Sequence, residues 1–199
     1  MPAVSETIVR EYFELHGFLV RQHRKFVARN RNADDEDDVD FFVLNPQPQA
    51  RPAEFPFVLT SAELDSINRA IVVVKGWHTE TFSTARLTTA PEIFRFVEPK
   101  AFQQAARAFG SDGTPLKLLV VPALPQDSKA RDESVALLRS KGIDGVIPFR
   151  TMLADLVSET KANRNYQKSD LLQIIRILKN YDLLKDPQME LFKPKRKKK

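Results

Sequence analysis

The chain of 199 residues contains no cysteine. Disulfide frameworks, thiolate metal sites and cysteine nucleophiles are therefore excluded. The lack of thiols fits a reducing compartment, and a soluble, cytoplasmic protein is expected. Long hydrophobic runs are missing too. The longest, 70–74 and 118–124, fall far below the roughly 18 residues that a membrane span needs, and Pro122 interrupts the second. No membrane partner is expected. The opening residues, MPAVSETIVREYFE, carry acids where a secretion signal carries basic and then apolar residues, so no leader is expected. Glycine is scarce, with only six residues. No GxGxxG follows a strand pattern and no GxxxxGK[ST] occurs, which excludes phosphate cradles of those kinds. The three histidines, His16, His23 and His78, show neither HExxH nor i,i+4 spacing, so zinc is not expected. No GxSxG elbow marks a serine nucleophile.

What is present suffices for a core: 42% of residues are hydrophobic and 29% charged, which rules out wholesale disorder. The net charge of +5 is local. The tail 193–199 (KPKRKKK) holds six of the 31 basic residues, and the rest of the chain sets 25 basic residues against 26 acidic ones. Such a tail cannot bury anything and is expected to be disordered. It suits either attraction to phosphate backbones or plain solvation of a chain end. The acidic run 34–38 (DDEDD) reads as an exposed turn.

Ser5 reads as the cap of a helix reaching Leu15, stopped by Gly17. Residues 17–27 read as a strand, and 39–44 (VDFFVL) as a second, short one. The segment 46–56 holds four prolines and must be loop or edge. Thr60-x-x-Glu63 resembles a capping box for a short helix to Asn68. Residues 70–76 (AIVVVKG) give the clearest strand, apolar on both faces and so central. Helix is expected over 99–109, strand over 116–121, helix over 134–141, strand over 143–147, and helices over 149–159 and 169–180. The order predicts an α/β fold with a mixed central sheet flanked by helices.

Three segments together resemble the PD-(D/E)XK, or restriction-endonuclease-like, nuclease superfamily. Glu6-x-x-Val9-x-x-x-Phe13-x-x-x-Gly17-Phe18-x-Val20 looks like its opening helix and first strand. Asp38-Val39-Asp40-Phe41-Phe42-Val43-Leu44 looks like its aspartate-bearing strand, and Ile71-Val72-Val73-Val74-Lys75-Gly76-Trp77 like its (D/E)-x-K strand. The resemblance covers residues 5–77 by motif and 98–150 by element order. It implies an αβββαβ core, with a C-terminal helical extension, and a Mg²⁺ or Mn²⁺ ion near mid-sheet. It also implies a nucleic-acid partner, DNA rather than RNA, and a homodimer. Carried over by position, Glu6 is the helix glutamate, Asp40 the metal-binding aspartate and Lys75 the motif lysine. Glu6 and Asp40 would hold the metal, and all three residues would be catalytic. The motif's acid falls on Val73, and a valine cannot ligate Mg²⁺, which requires oxygen donors. Without that acid, either another carboxylate (Glu80 or Glu98) has taken its place, with Gln103 and Gln104 as neutral donors, or the site binds without cutting.

Lys75 also stands out without the resemblance. It continues the row of Ile71 and Val73 on one strand face, where an ammonium needs a partner such as Asp40 or a route to water. Trp77 either stacks on a base or packs at a sheet edge. Arg21 and Lys25 alternate along the first strand and offer phosphate contacts. So do Arg176 and Lys179, three apart on the last helix, whose other reading is an ordinary solvated face. The expected organisation is a core over 1–160, with 46–69 as an insertion, a packed C-terminal helix over 161–186, and the tail over 187–199.

Overall fold

The computed structural model describes residues 2–23, 39–110 and 113–184. The acidic run, Lys25 and the basic tail lie outside them. The chain forms an α/β fold around a five-stranded mixed sheet. Its elements are α1 (Pro2–Leu15), β1 (Leu19–Gln22), β2 (Phe41–Leu44), α2 (Ser61–Leu64), β3 (Arg69–Val74), α3 (Thr84–Thr89), α4 (Pro99–Ala106), β4 (Leu116–Val121), α5 (Ser128–Ser140), β5 (Gly145–Pro148), α6 (Phe149–Glu159) and α7 (Asp170–Asn180). Two 3₁₀ segments, Pro91–Val97 and Arg107–Phe109, flank α4. Strand order follows chain order. β1–β2 and β2–β3 are antiparallel, whereas β3–β4 and β4–β5 are parallel.

β3 occupies the middle because it has no polar face. Ala70, Val72 and Val74 point to one side, Ile71 and Val73 to the other, and each side is covered by helices. The first helical layer brings Val9, Tyr12 and Phe13 of α1, Met152 and Leu156 of α6, and Leu172 and Ile175 of α7 onto Phe41, Val43, Leu118 and Val120. The second brings Leu87, Ile93, Phe96 and Leu138, with Phe82 from the preceding loop, onto Ile71, Val73, Leu119 and Val121. Alternation along each strand thus assigns each side chain to a layer.

Several expected elements keep their place and change their bounds. β4 and α6 match their expected spans, and Thr60 and Glu63 form the expected reciprocal cap on α2. That helix is a single turn and stops at Leu64 rather than Asn68. Ser5 is not a cap: α1 already starts at Pro2, where a missing N–H costs nothing, and Ser5 is buried within the helix. The described part of the first strand spans only Leu19–Gln22. α5 is longer than expected because Asp127, accepting from Ala130 N at 2.9 Å, caps it seven residues before Ser134. β5 starts at Gly145 instead of Ile143. The region 84–97, with no helix expected, folds into α3, capped by Ser83, and a 3₁₀ segment that buries Ile93, Phe94 and Phe96.

The proline-rich segment 46–56 is a loop, as one of its two readings had it. Beyond it, residues 57–59 run parallel to β5: Val146 N donates to Phe57 O and Leu59 N to Val146 O, both at 2.8 Å. Gly145 sits between this segment and β4. A Cβ there would lie 2.9 Å from Leu59 Cδ1 and 3.1 Å from Leu118 Cδ2, both on fully buried side chains. Gly145→Ala is expected to destabilise the fold by about 1–3 kcal/mol in urea unfolding, because the crowded leucines have no solvent to yield into.

Tyr12 is completely buried, and its hydroxyl has no hydrogen-bond partner among the described residues. Burial, reinforced by the negative charges of Asp155 and Glu63, raises its pKa well above the usual phenol value. The folded state therefore holds the proton more tightly than the unfolded chain does. This stabilisation is complete below the ordinary value of about 10 and is lost as pH rises past it. Tyr12→Phe is expected to flatten the decline of stability above that pH and to cost little at neutral pH, as followed by denaturant titration across the alkaline range.

Candidate functional site

The sheet topology gathers particular chain ends on one edge. β1 and β3 run in the same direction and β2 runs against both, so the ends of β1 and β3 meet the start of β2. Gln22, Asp40 and the segment that follows Val74 therefore come together. The first turns of α1 dock on the same end through Ser5 and Glu6.

Asp40 is held on three sides. Its N–H donates to Val72 O at 3.1 Å, and its carbonyl accepts from His23 N at 2.8 Å. Its carboxylate Oδ2 accepts from Val74 N at 2.6 Å. Phe41 pairs with Val72, so Asp40 stands where the β2–β3 ladder runs out. Its carboxylate takes over a backbone donor that the ladder leaves at the end of β3. Glu6 is engaged too, since its Oε2 accepts from Gln22 Nε2 at 2.6 Å. Lys75 continues the parallel ladder, donating its backbone N–H to Val120 O at 3.0 Å. Its half-buried side chain makes no ion pair among the described residues. Val73 is 1% exposed and packed in the second core, so the position of the motif acid is a core position.

The loop after β3 is pinned from both layers. Ser5 Oγ lies 3.0 Å from His78 Nε2, and the His78 ring meets Phe149 edge-on at 4.6 Å. Gly76 permits this approach, because a Cβ there would stand 2.5 Å from Ser5 Oγ. On the other side, Arg86 lies over the Trp77 ring at 4.6 Å and hydrogen-bonds both carboxylate oxygens of Glu80. Phe82 packs against the same indole at 5.7 Å. Trp77 packs against the second core, and its ring carries the Arg86 guanidinium. Glu80 is committed to Arg86, and Glu98 is exposed at the start of α4, as are Gln103 and Gln104 within it.

The remaining candidates are dispersed. Arg21 is exposed on β1, with its guanidinium 6.0 Å from the centre of the Phe42 ring. Arg176 Nε donates to Ala162 O at 3.0 Å, tying α7 to the preceding loop, and Lys179 is half-buried one turn on. An open cleft of about 600 Å³ lies elsewhere, between α1 and the approach to α7, and is lined by Glu11, Glu14, Tyr166, Lys168 and Leu172 among others. No predicted site residue lines it. Among the described residues, no group of three or more His, Asp and Glu side chains is arranged to hold a metal ion.

Sequence reasoning missed Ser5, Gln22 and Gly76 as parts of this region. Only Gly76 left a signal, as one of six glycines and placed directly after the strand lysine. Comparisons with family models, with curated proteins and with solved structures find no match.

The role of Asp40 in closing the β2–β3 ladder has a measurable consequence. Asp40→Ala leaves the Val74 N–H without its acceptor and is expected to destabilise by about 1–3 kcal/mol. Asp40→Asn retains a carbonyl oxygen at the same place and should lose less than the alanine variant. Urea unfolding of the two variants checks the ranking.

Proposed function

We propose that this chain is a nucleic-acid-engaging domain of the PD-(D/E)XK, restriction-endonuclease-like kind, which binds DNA without a complete metal centre. The observation that carries the reading is the convergence of Asp40 and Lys75. They stand at one end of the sheet, on adjacent antiparallel strands, where the resemblance expects them. The order of elements supports it as well: one helix, three antiparallel strands with the single-turn α2 between the second and third, a helical layer and a parallel fourth strand.

The oxygen donors do not fit Mg²⁺ or Mn²⁺ in the manner of the motif. Val73 offers no donor and faces the core, the Glu6 carboxylate holds Gln22, and one oxygen of Asp40 holds Val74 N–H. These residues therefore lack the oxygen donors that a hydrolytic metal centre of that kind requires. Binding asks less of the site. A half-buried lysine at the sheet end, with no carboxylate paired to it among the described residues, suits a phosphate oxygen, and Arg21, exposed on β1, adds charge. A homodimer and a cytoplasmic setting belong to the same reading.

The test is polarisation titration of labelled single-stranded, duplex and branched DNA, and of RNA, over a range of salt. DNA binding is expected, and Lys75→Met should lower the log–log salt slope by about 1. Binding that is unchanged in Lys75→Met and vanishes when 193–199 are removed would assign it to the tail alone and overturn the proposal. Parallel incubation with Mg²⁺ and Mn²⁺ is expected to give no cleavage. Metal-dependent cutting that disappears in Asp40→Asn would replace the binding domain with an active nuclease.

A further inference from the structure

The open cleft beside α1 holds a carboxylate that the fold leaves unsatisfied. Glu11 and Glu14 stand one turn apart on α1 and line it together with Tyr166, Lys168 and Leu172. Glu11 is only 6% exposed, yet its carboxylate accepts no hydrogen bond from any described residue. Its one ion-pair partner among them is Arg10, whose guanidinium stands 3.6 Å away, beyond hydrogen-bond reach, and 3.8 Å from Glu14. That guanidinium is 44% exposed and is not part of the cleft lining. A buried carboxylate ordinarily has its lone pairs filled. The wall opposite α1 is fixed in place. Tyr166 Oη accepts from Lys161 N at 2.9 Å, Tyr166 N donates to Gln173 Oε1 at 3.3 Å, and Ser169 Oγ accepts from Leu172 N at 3.2 Å. Leu172, which belongs to the first core, gives the cleft an apolar surface.

We infer that this cleft binds a small organic cation, a protonated amine or guanidinium on a short apolar stem, with Glu11 as its anchor. The N–H groups of the cation fill the lone pairs of Glu11 that the fold leaves open, and the more exposed Glu14 adds charge beside it. The stem lies along Leu172 and the Tyr166 ring. Lys168 makes no ion pair among the described residues and balances one of the two acids. The lining then carries one negative charge in excess, which suits a monocation. No residue of the Asp40–Lys75 region lines the cleft, so amine binding does not depend on DNA binding.

Amide nitrogen–proton correlation spectra of the full chain, titrated at neutral pH with hexylamine and with butylguanidine, provide the test. Both probes should shift amides of residues 10–15 and 165–172, with dissociation constants on the order of 1 mM. The uncharged counterpart 1-hexanol should bind about 10-fold more weakly or not at all. Glu11→Gln keeps the shape and removes the charge, and should weaken hexylamine by about 10-fold. Lys168→Gln removes a like charge and should tighten it about 2-fold. Equal binding of hexanol and hexylamine, a comparison that needs no variant, would reduce the cleft to an apolar groove and overturn the inference. Shifts confined to the acidic run 34–38, hexylamine affinity unchanged in Glu11→Gln, or no shift up to about 50 mM amine would overturn it as well.

Discussion

A strand with apolar side chains on both faces cannot lie at the surface of a sheet. β3 is such a strand, and the rest of the molecule is arranged around that constraint. Ile71 and Val73 require one helical layer, and Ala70, Val72 and Val74 require another. The parallel neighbour β4 repeats the demand through Leu118 to Val121, all fully buried. Two layers of helix, crossovers long enough to supply them and antiparallel strands on the remaining flank follow from a few consecutive β-branched residues.

The same constraint bears on the chemistry. Chain position 73 belongs to two patterns at once, since the motif resemblance asks for an acid there and the buried face of β3 asks for an apolar side chain. The valine satisfies packing. What remains at the sheet end is then turned to holding structure together. The Asp40 carboxylate closes the strand ladder, Glu6 fastens α1 to β1, and Ser5 and His78 fasten α1 to the loop after β3. Of the side chains gathered there, Lys75 makes no ion pair among the described residues.

Legibility in the sequence tracked how local the physics is. β3, β4 and α6 were readable because their apolar runs and flanking residues decide them without help. α3 was not, since Thr84–Thr89 is half threonine, a poor helix former, and is held by burial of Leu87 under distant residues. The start of α5 was obscured by a charged, solvent-facing first half whose only local signal was Asp127. At the sheet end, Asp40 and Lys75 were recognisable from their strand positions. The bond between Ser5 and His78, 73 residues apart, and the use of the Asp40 carboxylate on a backbone N–H depend on register and packing that no local pattern encodes.

The parallel pairing of residues 57–59 with β5 has a consequence for how the molecule assembles during synthesis. The segment emerges from the ribosome well before its partner around Val146 exists. Until then, its backbone donors and acceptors at Phe57 and Leu59 have no strand to meet, and the leucine and phenylalanine beside them have no finished core to enter. Closure of that border is a long-range pairing and waits on the span of chain that separates the two halves. The four prolines just upstream fit this delay, because a segment that cannot donate freely makes a poor template for stray strands while it waits.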